Sequence, residues 1–97
     1  MRMMMRVTMP VEAGNKAVKD DLIGKLVQQT SDLTKPEAAY FTPDHGQRTA
    51  YFFFEMKDSS QLVTVAEPWF MNLNAKVEFI PAMNREDLKT GMASIKK

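Results

Sequence analysis

Ninety-seven residues with 13 Lys and Arg against 12 Asp and Glu make a chain of formal charge +1; that is enough for one domain, residues 1–97, with a modest core, and it lacks the basic surplus that marks nucleic-acid binding. There is no cysteine, which excludes disulfides, thiolate metal sites and cysteine nucleophiles. No apolar run approaches the ~20 residues that span a bilayer, and the Met1–Met5 run, interrupted by Arg6, is too short for a signal peptide, so the expectation is a cytoplasmic protein with no membrane association.

Residues 2–9 read as a strand, ended by Pro10, which has no N–H to donate to a ladder. From Glu12 to about Leu33 the period changes. Val18, Leu22, Leu26, Thr30 and Leu33 recur at three- and four-residue spacing, flanked by Ile23 and Val27, and this predicts one amphipathic helical face. Asp20, Asp21 and Gly24 are the places where that stretch would break into a short turn and a longer helix. Pro36 then ends helical structure and is expected to force Lys35 extended.

Residues 37–42 and 48–56 are the next two strands, joined by Pro43-Asp44-His45-Gly46, the turn chemistry of a hairpin. Asp58 and Gln61 have capping-box spacing for a helix burying Leu62, Val63, Ala66, Trp69, Phe70 and Leu73, with Pro68 expected to kink or divide it. Residues 75–81 form the last strand. Asn84 and Asp87 start a final helix that presents Leu88, Met92 and Ile95 on one side and ends near Lys96-Lys97, read as a solvated tail. The nine methionines are read as flexible core filler ahead of an adaptable binding surface.

Strand, helix, strand, strand, helix, strand is the α+β, ferredoxin-like βαββαβ order, here with an extra C-terminal helix. Right-handed crossovers place both main helices on one face of a four-stranded antiparallel sheet with strand order 4-1-3-2. Met3, Met5, Val7, Ala39, Phe41, Phe52, Phe54, Val77 and Phe79 then lie under the helices. The opposite face receives Met4, Arg6, Thr8, Tyr40, Tyr51, Phe53, Glu55, Glu78 and Ile80. An uncovered sheet face is ordinarily polar, whereas this one carries aromatics too large to leave in water. A second copy of the sheet is the simplest cover. Arg6, on a central strand between those bearing Glu55 and Glu78, would make a buried polar cluster ringed by Tyr40, Tyr51 and Phe53, and these six residues are the candidate ligand contacts. The plainer reading is a structural charge pairing inside a dimer, because an arginine keeps its carboxylate partner ionised and so works against an acid role.

Other chemistry is thin. His45, the only histidine, lies in a polar turn, and without clustered partners it makes no metal site. No Gly-rich phosphate loop, Ser-His-Asp set or helix-borne His pair is present, so no cofactor, metal or catalytic residue is assigned. Trp69 and Phe70 read as core, with the crevice beside Pro68 as a place for a small apolar pocket. The βαββαβ order is also that of RNA-recognition domains, but Thr49 stands where a basic residue is wanted and Glu55 adds negative charge.

Met3–Pro10, Lys35-Pro36-Glu37, the aromatic third strand and Ala66-Glu67-Pro68-Trp69-Phe70 through Val77-Glu78-Phe79 resemble small bacterial proteins of the dimeric α/β-barrel superfamily. The resemblance implies a homodimer in which two four-stranded sheets pack into a barrel. It also implies kinship with cofactor-independent monooxygenases, muconolactone isomerase, chlorite dismutase-like haem proteins and stress-response proteins. The absence of a histidine at a suitable helix position speaks against the haem branch. The expected function is binding of a small apolar or aromatic molecule, with cofactor-free monooxygenase- or isomerase-like chemistry as its catalytic form; the alternative is a structural homodimer without activity.

Overall fold

The computed structural model describes residues 1–95; the Lys96-Lys97 tail lies outside them. The elements run β1 (Arg2–Thr8), α1 (Val11–Lys19), α2 (Ile23–Thr34), β2 (Ala38–Asp44), β3 (Gln47–Glu55), α3 (Gln61–Leu73), β4 (Lys76–Pro81) and α4 (Arg85–Ala93). The four strands form one antiparallel sheet in the order β2-β3-β1-β4, the expected order, and the architecture resembles a ferredoxin-like fold. The prolines at Pro43 and Pro81 fall on the two edge strands, where a missing N–H costs no ladder bond.

Period-two alternation builds the core. In β1 every second residue is buried, so Met3, Met5 and Val7 face the helices, as do Ala50, Phe52 and Phe54 of β3. Phe52 sits at the centre, edge-on to Phe41 at 5.9 Å and tilted against Trp69 at 6.4 Å between ring centroids. Trp69 is fully buried, and its indole N–H donates to Thr30 Oγ1 at 2.9 Å across the α2–α3 contact. Thr34 Oγ1 in turn donates to the Thr30 carbonyl at 2.8 Å. Among the described residues no buried side-chain nitrogen or oxygen lacks a partner.

Several local expectations change. Residues 11–34 form two helices because Asp21 takes positive φ of 55° and interrupts the first. The break resets the helical phase, so Ala17 is buried in place of Val18, and Thr34 in place of Leu33. Lys35 is left-handed (φ 47°, ψ 62°), not extended, because it closes α2 with its N–H on the Ser31 carbonyl. The capping box at Asp58 does not form. Ser60 holds the N-cap position, Asp58 accepts from the Ser60 N–H, and Gln61 Oε1 accepts from the Lys57 N–H. Helix α3 continues through Pro68 as one element and buries Val65, Ala66, Trp69 and Leu73; Val63 and Phe70 face outward, one quarter-turn off that stripe. Phe41, on the edge strand β2, is also half-exposed.

The α4 capping box does form, with Asn84 Oδ1 accepting from the Asp87 N–H at 2.8 Å and Asp87 Oδ2 from the Asn84 N–H at 3.0 Å. No residue of α4 is buried, and Leu88, Met92 and Ile95 are exposed. The helix is tethered by Arg2, whose Nη1 donates to Asp87 Oδ2 at 2.8 Å.

Candidate functional site

The helix-free side of the sheet is ordered in rows by the strand register. Its middle row, read across all four strands, is Tyr40, Tyr51, Arg6 and Glu78. One row toward the β2–β3 turn stand Thr42, Thr49, Thr8 and Lys76, and one row the other way stand Ala38, Phe53, Met4 and Ile80. The face thus grades from polar through ionic and aromatic to apolar. Met4, Tyr51 and Phe53 are half-covered by their neighbours, while Tyr40 and Ile80 on the edge strands are exposed.

Arg6 and Glu78 face each other across β1 and β4 and pair in a two-pronged geometry, Nε to Oε1 at 2.9 Å and Nη2 to Oε2 at 2.8 Å. Both side chains keep about a third of their surface, 32% and 30%. The fork matches the carboxylate's shape, which adds directional specificity to the charge attraction. It holds the Glu78 carboxyl below its ordinary range and the Arg6 guanidinium above its own. Glu78 is therefore an ionised anchor, poorly suited to giving up a proton.

A second chain of groups lies beside this pair. The Tyr51 hydroxyl donates to Asp44 Oδ2, and His45 Nδ1 lies 2.7 Å from Asp44 Oδ1. The hydrogen bond to Asp44 raises the Tyr51 phenol above its ordinary value, with partial burial adding to it and Arg6 opposing it. Reciprocally, the Tyr51 hydroxyl is the main cause of a lowered Asp44 carboxyl, with His45 and Arg6 acting in the same direction. The turn that delivers Asp44 is two residues long, His45 at φ 53° and Gly46 at φ 78°, the positive-φ pair that the twist of a hairpin favours. The His45 side chain itself is 95% exposed. Together these groups border a hollow of about 310 Å³, framed by Arg6, Asp44, His45 and Glu78 and floored by Thr8, Gln47 and Lys76.

The six candidate residues are not all brought together. Arg6, Tyr40, Tyr51 and Glu78 form one row, and Phe53 is in the next. Glu55 is not a partner of Arg6, because the antiparallel register sets it opposite Arg2, four residues along β1. It pairs there with the N-terminal ammonium of Met1, while Arg2 binds Glu37 and Asp87. The guanidinium therefore has one carboxylate partner, not two. The residues that sequence reasoning missed are Asp44, Gln47 and Lys76, while alternation places Thr8 on this face without counting it among the six contacts; counting back from a two-residue turn at His45-Gly46 pairs Asp44 with Gln47 and was the signal for the first of them. Pro68 does not line this hollow. A second one, of about 350 Å³, sits on the helical side between Met9, Ile23, Phe41 and Pro43, and its apolar walls offer little chemistry beyond Arg48. Among the described residues no helix is long and apolar enough to cross a membrane, and no group of three or more histidines and carboxylates is placed to hold a metal ion.

No protein-family model, curated protein or solved structure matches this chain.

The paired carboxylates set a pH dependence. Glu78 and Asp44 are shifted below their ordinary values of 4.5 and 3.8, so they bind protons more weakly in the folded state than in the unfolded one. Their contribution to stability is complete above those ordinary values and is lost as pH falls through the lower folded ones. The urea midpoint is expected to fall on acidification from about pH 5 to about pH 3, and to fall less steeply in Glu78→Gln, which no longer titrates there. Parallel pH profiles for the two proteins would show that the pair contributes nothing.

Proposed function

We propose that two copies of this chain pack open face to open face as a dimeric α/β barrel of the superfamily named above, and that the space between the sheets binds a small apolar or aromatic molecule in a cytoplasmic setting. The reading rests on one observation above all: the sheet face without helices carries a row of two tyrosines and an Arg–Glu pair beside a row of apolar side chains. Met4 is flanked by Phe53 and Ile80, and Tyr51 by Tyr40, so the apolar surface is continuous across the strands. Soluble monomers rarely leave such a patch in water, and an isologous contact with a second copy covers it with a surface of the same character.

In such a dimer the Arg6–Glu78 pair is largely taken out of water, where an ion pair is retained only with good geometry and satisfied partners. Its forked geometry meets that requirement. Acid–base chemistry, of the kind used in isomerase-like or cofactor-free oxygenase reactions, falls to His45 beside Asp44, since Glu78 and Asp44 are both held ionised and the Tyr51 phenol is raised. The competing reading is a homodimer without a ligand, and what favours it is that Arg6 and Glu78 already satisfy each other.

Native mass spectrometry of the purified protein separates these readings, because it reports subunit number and any co-purifying molecule together. The expected result is twice the 11.1 kDa chain mass with a small adduct that the double variant Arg6→Gln, Glu78→Gln, which leaves no unpaired charge between the sheets, loses while remaining dimeric. A dimer that never carries or takes up an apolar adduct supports the structural homodimer. A monomer at micromolar concentration overturns both readings.

A further inference from the structure

We propose that α4 is an arm that closes over a second copy of the chain, with Leu88, Met92 and Ile95 packing on that copy. The inference rests on the dimer proposed above and adds a contact to it. Three observations carry it. The first is that α4 has no cover of its own. Leu88 and Met92 lie four residues apart on one side of the helix, and Ile95 follows three residues on, its N–H on the Met92 carbonyl. Each of the three is at least half exposed, and no residue of α4 is buried. At nine residues the helix is shorter than the ~12–15 that an isolated helix needs to persist in water, and Thr90 and Gly91 are poor helix formers. The capping box and the Arg2–Asp87 bond fix where α4 starts, but they leave its apolar side bare.

The second is the amount of surface. The chain exposes 6739 Å², whereas a compact chain of 11.1 kDa exposes about 5,700 Å². Its Cα radius of gyration is 15.3 Å, against about 12.5 Å for a compact domain of 97 residues. The molecule is drawn out along one axis, with extents of 56 × 27 × 18 Å, and the helix without a buried residue is the element that stands off the body. The excess surface, roughly 1,000 Å², is on the scale of the ~800 Å² that each partner contributes to a stable protein–protein interface.

The third is where the arm begins. Strand β4 ends at the apolar row of the open face, with Ile80 opposite Met4, and the Ala82 N–H donates to the Arg2 carbonyl at 3.0 Å. Exposed Met83 follows, and then α4. A copy that covers Phe53, Met4 and Ile80 is therefore within reach of the helix that starts just beyond them. Charge favours a second copy over other partners. Within α4, Arg85 and Lys89 stand against Glu86 and Asp87, so the helix has no net charge to select an acidic or a basic surface, and it lacks the cationic polar face of a membrane-binding helix. Self-association needs no such bias, since an isologous contact sets a surface against its own copy.

The test is made on the full chain. Leu88→Glu puts a charge in the stripe, and Thr90→Glu puts the same charge on the far side of the helix. Neither residue is buried, so the core is untouched by both. Sedimentation equilibrium is expected to show the dimer dissociation constant raised about a hundredfold or more by Leu88→Glu, and changed by less than about threefold by Thr90→Glu. Hydrogen exchange across residues 85–93 is expected to be slow in the dimer and to become fast on dilution to the monomer. In a dimeric parent, a dissociation constant untouched by Leu88→Glu, or exchange at 85–93 as fast in the dimer as in the monomer, would overturn the arm and leave the sheet-face dimer standing. Equal weakening by both variants also overturns it, since the stripe then plays no special part. A parent that is monomeric at micromolar concentration overturns arm and barrel together, and protection that such a monomer gains only with phosphatidylglycerol vesicles assigns the stripe to a membrane instead. A dimer that survives Phe53→Lys but not Leu88→Glu supports the arm and defeats the barrel.

Discussion

Replacing Trp69 with alanine is expected to lower the unfolding free energy by about 3–5 kcal/mol, the range for truncating a large buried aromatic. For a domain of this size the whole stability is roughly 5–15 kcal/mol, so the variant stands near the edge of folding and its thermal midpoint drops by about 12 °C or more. The reason is specific to this residue. Trp69 is fully buried against Phe52, it lies in the stripe of α3 that faces the sheet, and its indole N–H satisfies Thr30 on α2. One side chain thus joins both long helices to the central strand. Thr30→Val should cost less, about 1–3 kcal/mol, since it keeps the volume and orphans the indole N–H. Trp69→Phe combined with Thr30→Val should then cost less than the two single changes added together, because the pair shares one hydrogen bond. Denaturant titrations of the parent, of Trp69→Ala, Trp69→Phe and Thr30→Val, and of the double variant test this. Additive costs, or a Trp69→Ala loss below about 1 kcal/mol, would mean that Trp69 does not join the helices as described.

In the proposed face-to-face dimer, Phe53→Lys is expected to leave a folded monomer. Phe53 belongs to a central strand but faces away from the helices, so its loss leaves the core of Phe52, Phe54 and Met5 intact. In a face-to-face dimer each copy would bury one new ammonium without a designed partner, at a cost of several kcal/mol. The dimer dissociation constant then rises by about a thousandfold or more, since each 1.4 kcal/mol is about tenfold. Sedimentation at about 10 µM should give twice 11.1 kDa for the parent and 11.1 kDa for the variant, with unchanged circular dichroism. Phe53→Leu, apolar and of similar bulk, should stay dimeric. Phe52→Lys, by contrast, should unfold the chain outright, because Phe52 has no exposed surface. If Phe53→Lys assembles as the parent does, the partner copy sits elsewhere.

The Arg6–Glu78 pair illustrates how far the site could be read in advance. Alternation assigned Arg6, Tyr51, Phe53 and Glu78 to one face without coordinates, because successive strand residues point to opposite sides whatever the partner strand. Pairing Arg6 with Glu55 failed because alternation is silent about displacement along a strand. The contact between β1 and β3 sets Glu55 opposite Arg2, and only that register puts it out of reach. Asp44 was missed for a related reason: the hairpin strands run closer to the turn than the Pro43 signal suggested, which an edge strand tolerates. The helices divide in the same way. The Asn84–Asp87 cap was legible because both partners are three residues apart. The outward rotation of Val63 and Phe70 was not, because their helix is apolar around most of its circumference.

By itself, the amino-acid sequence determined the order of strands and helices, the two faces of the sheet and the residues that populate each, since these depend on period and on local turn and cap chemistry. Tertiary structure alone decided which side chains meet: Arg6 with Glu78, Tyr51 with Asp44, Trp69 with Thr30. Such meetings join residues from 7 to 72 positions apart, and over those separations register and helix phase, set by packing the whole core at once, outweigh any local preference.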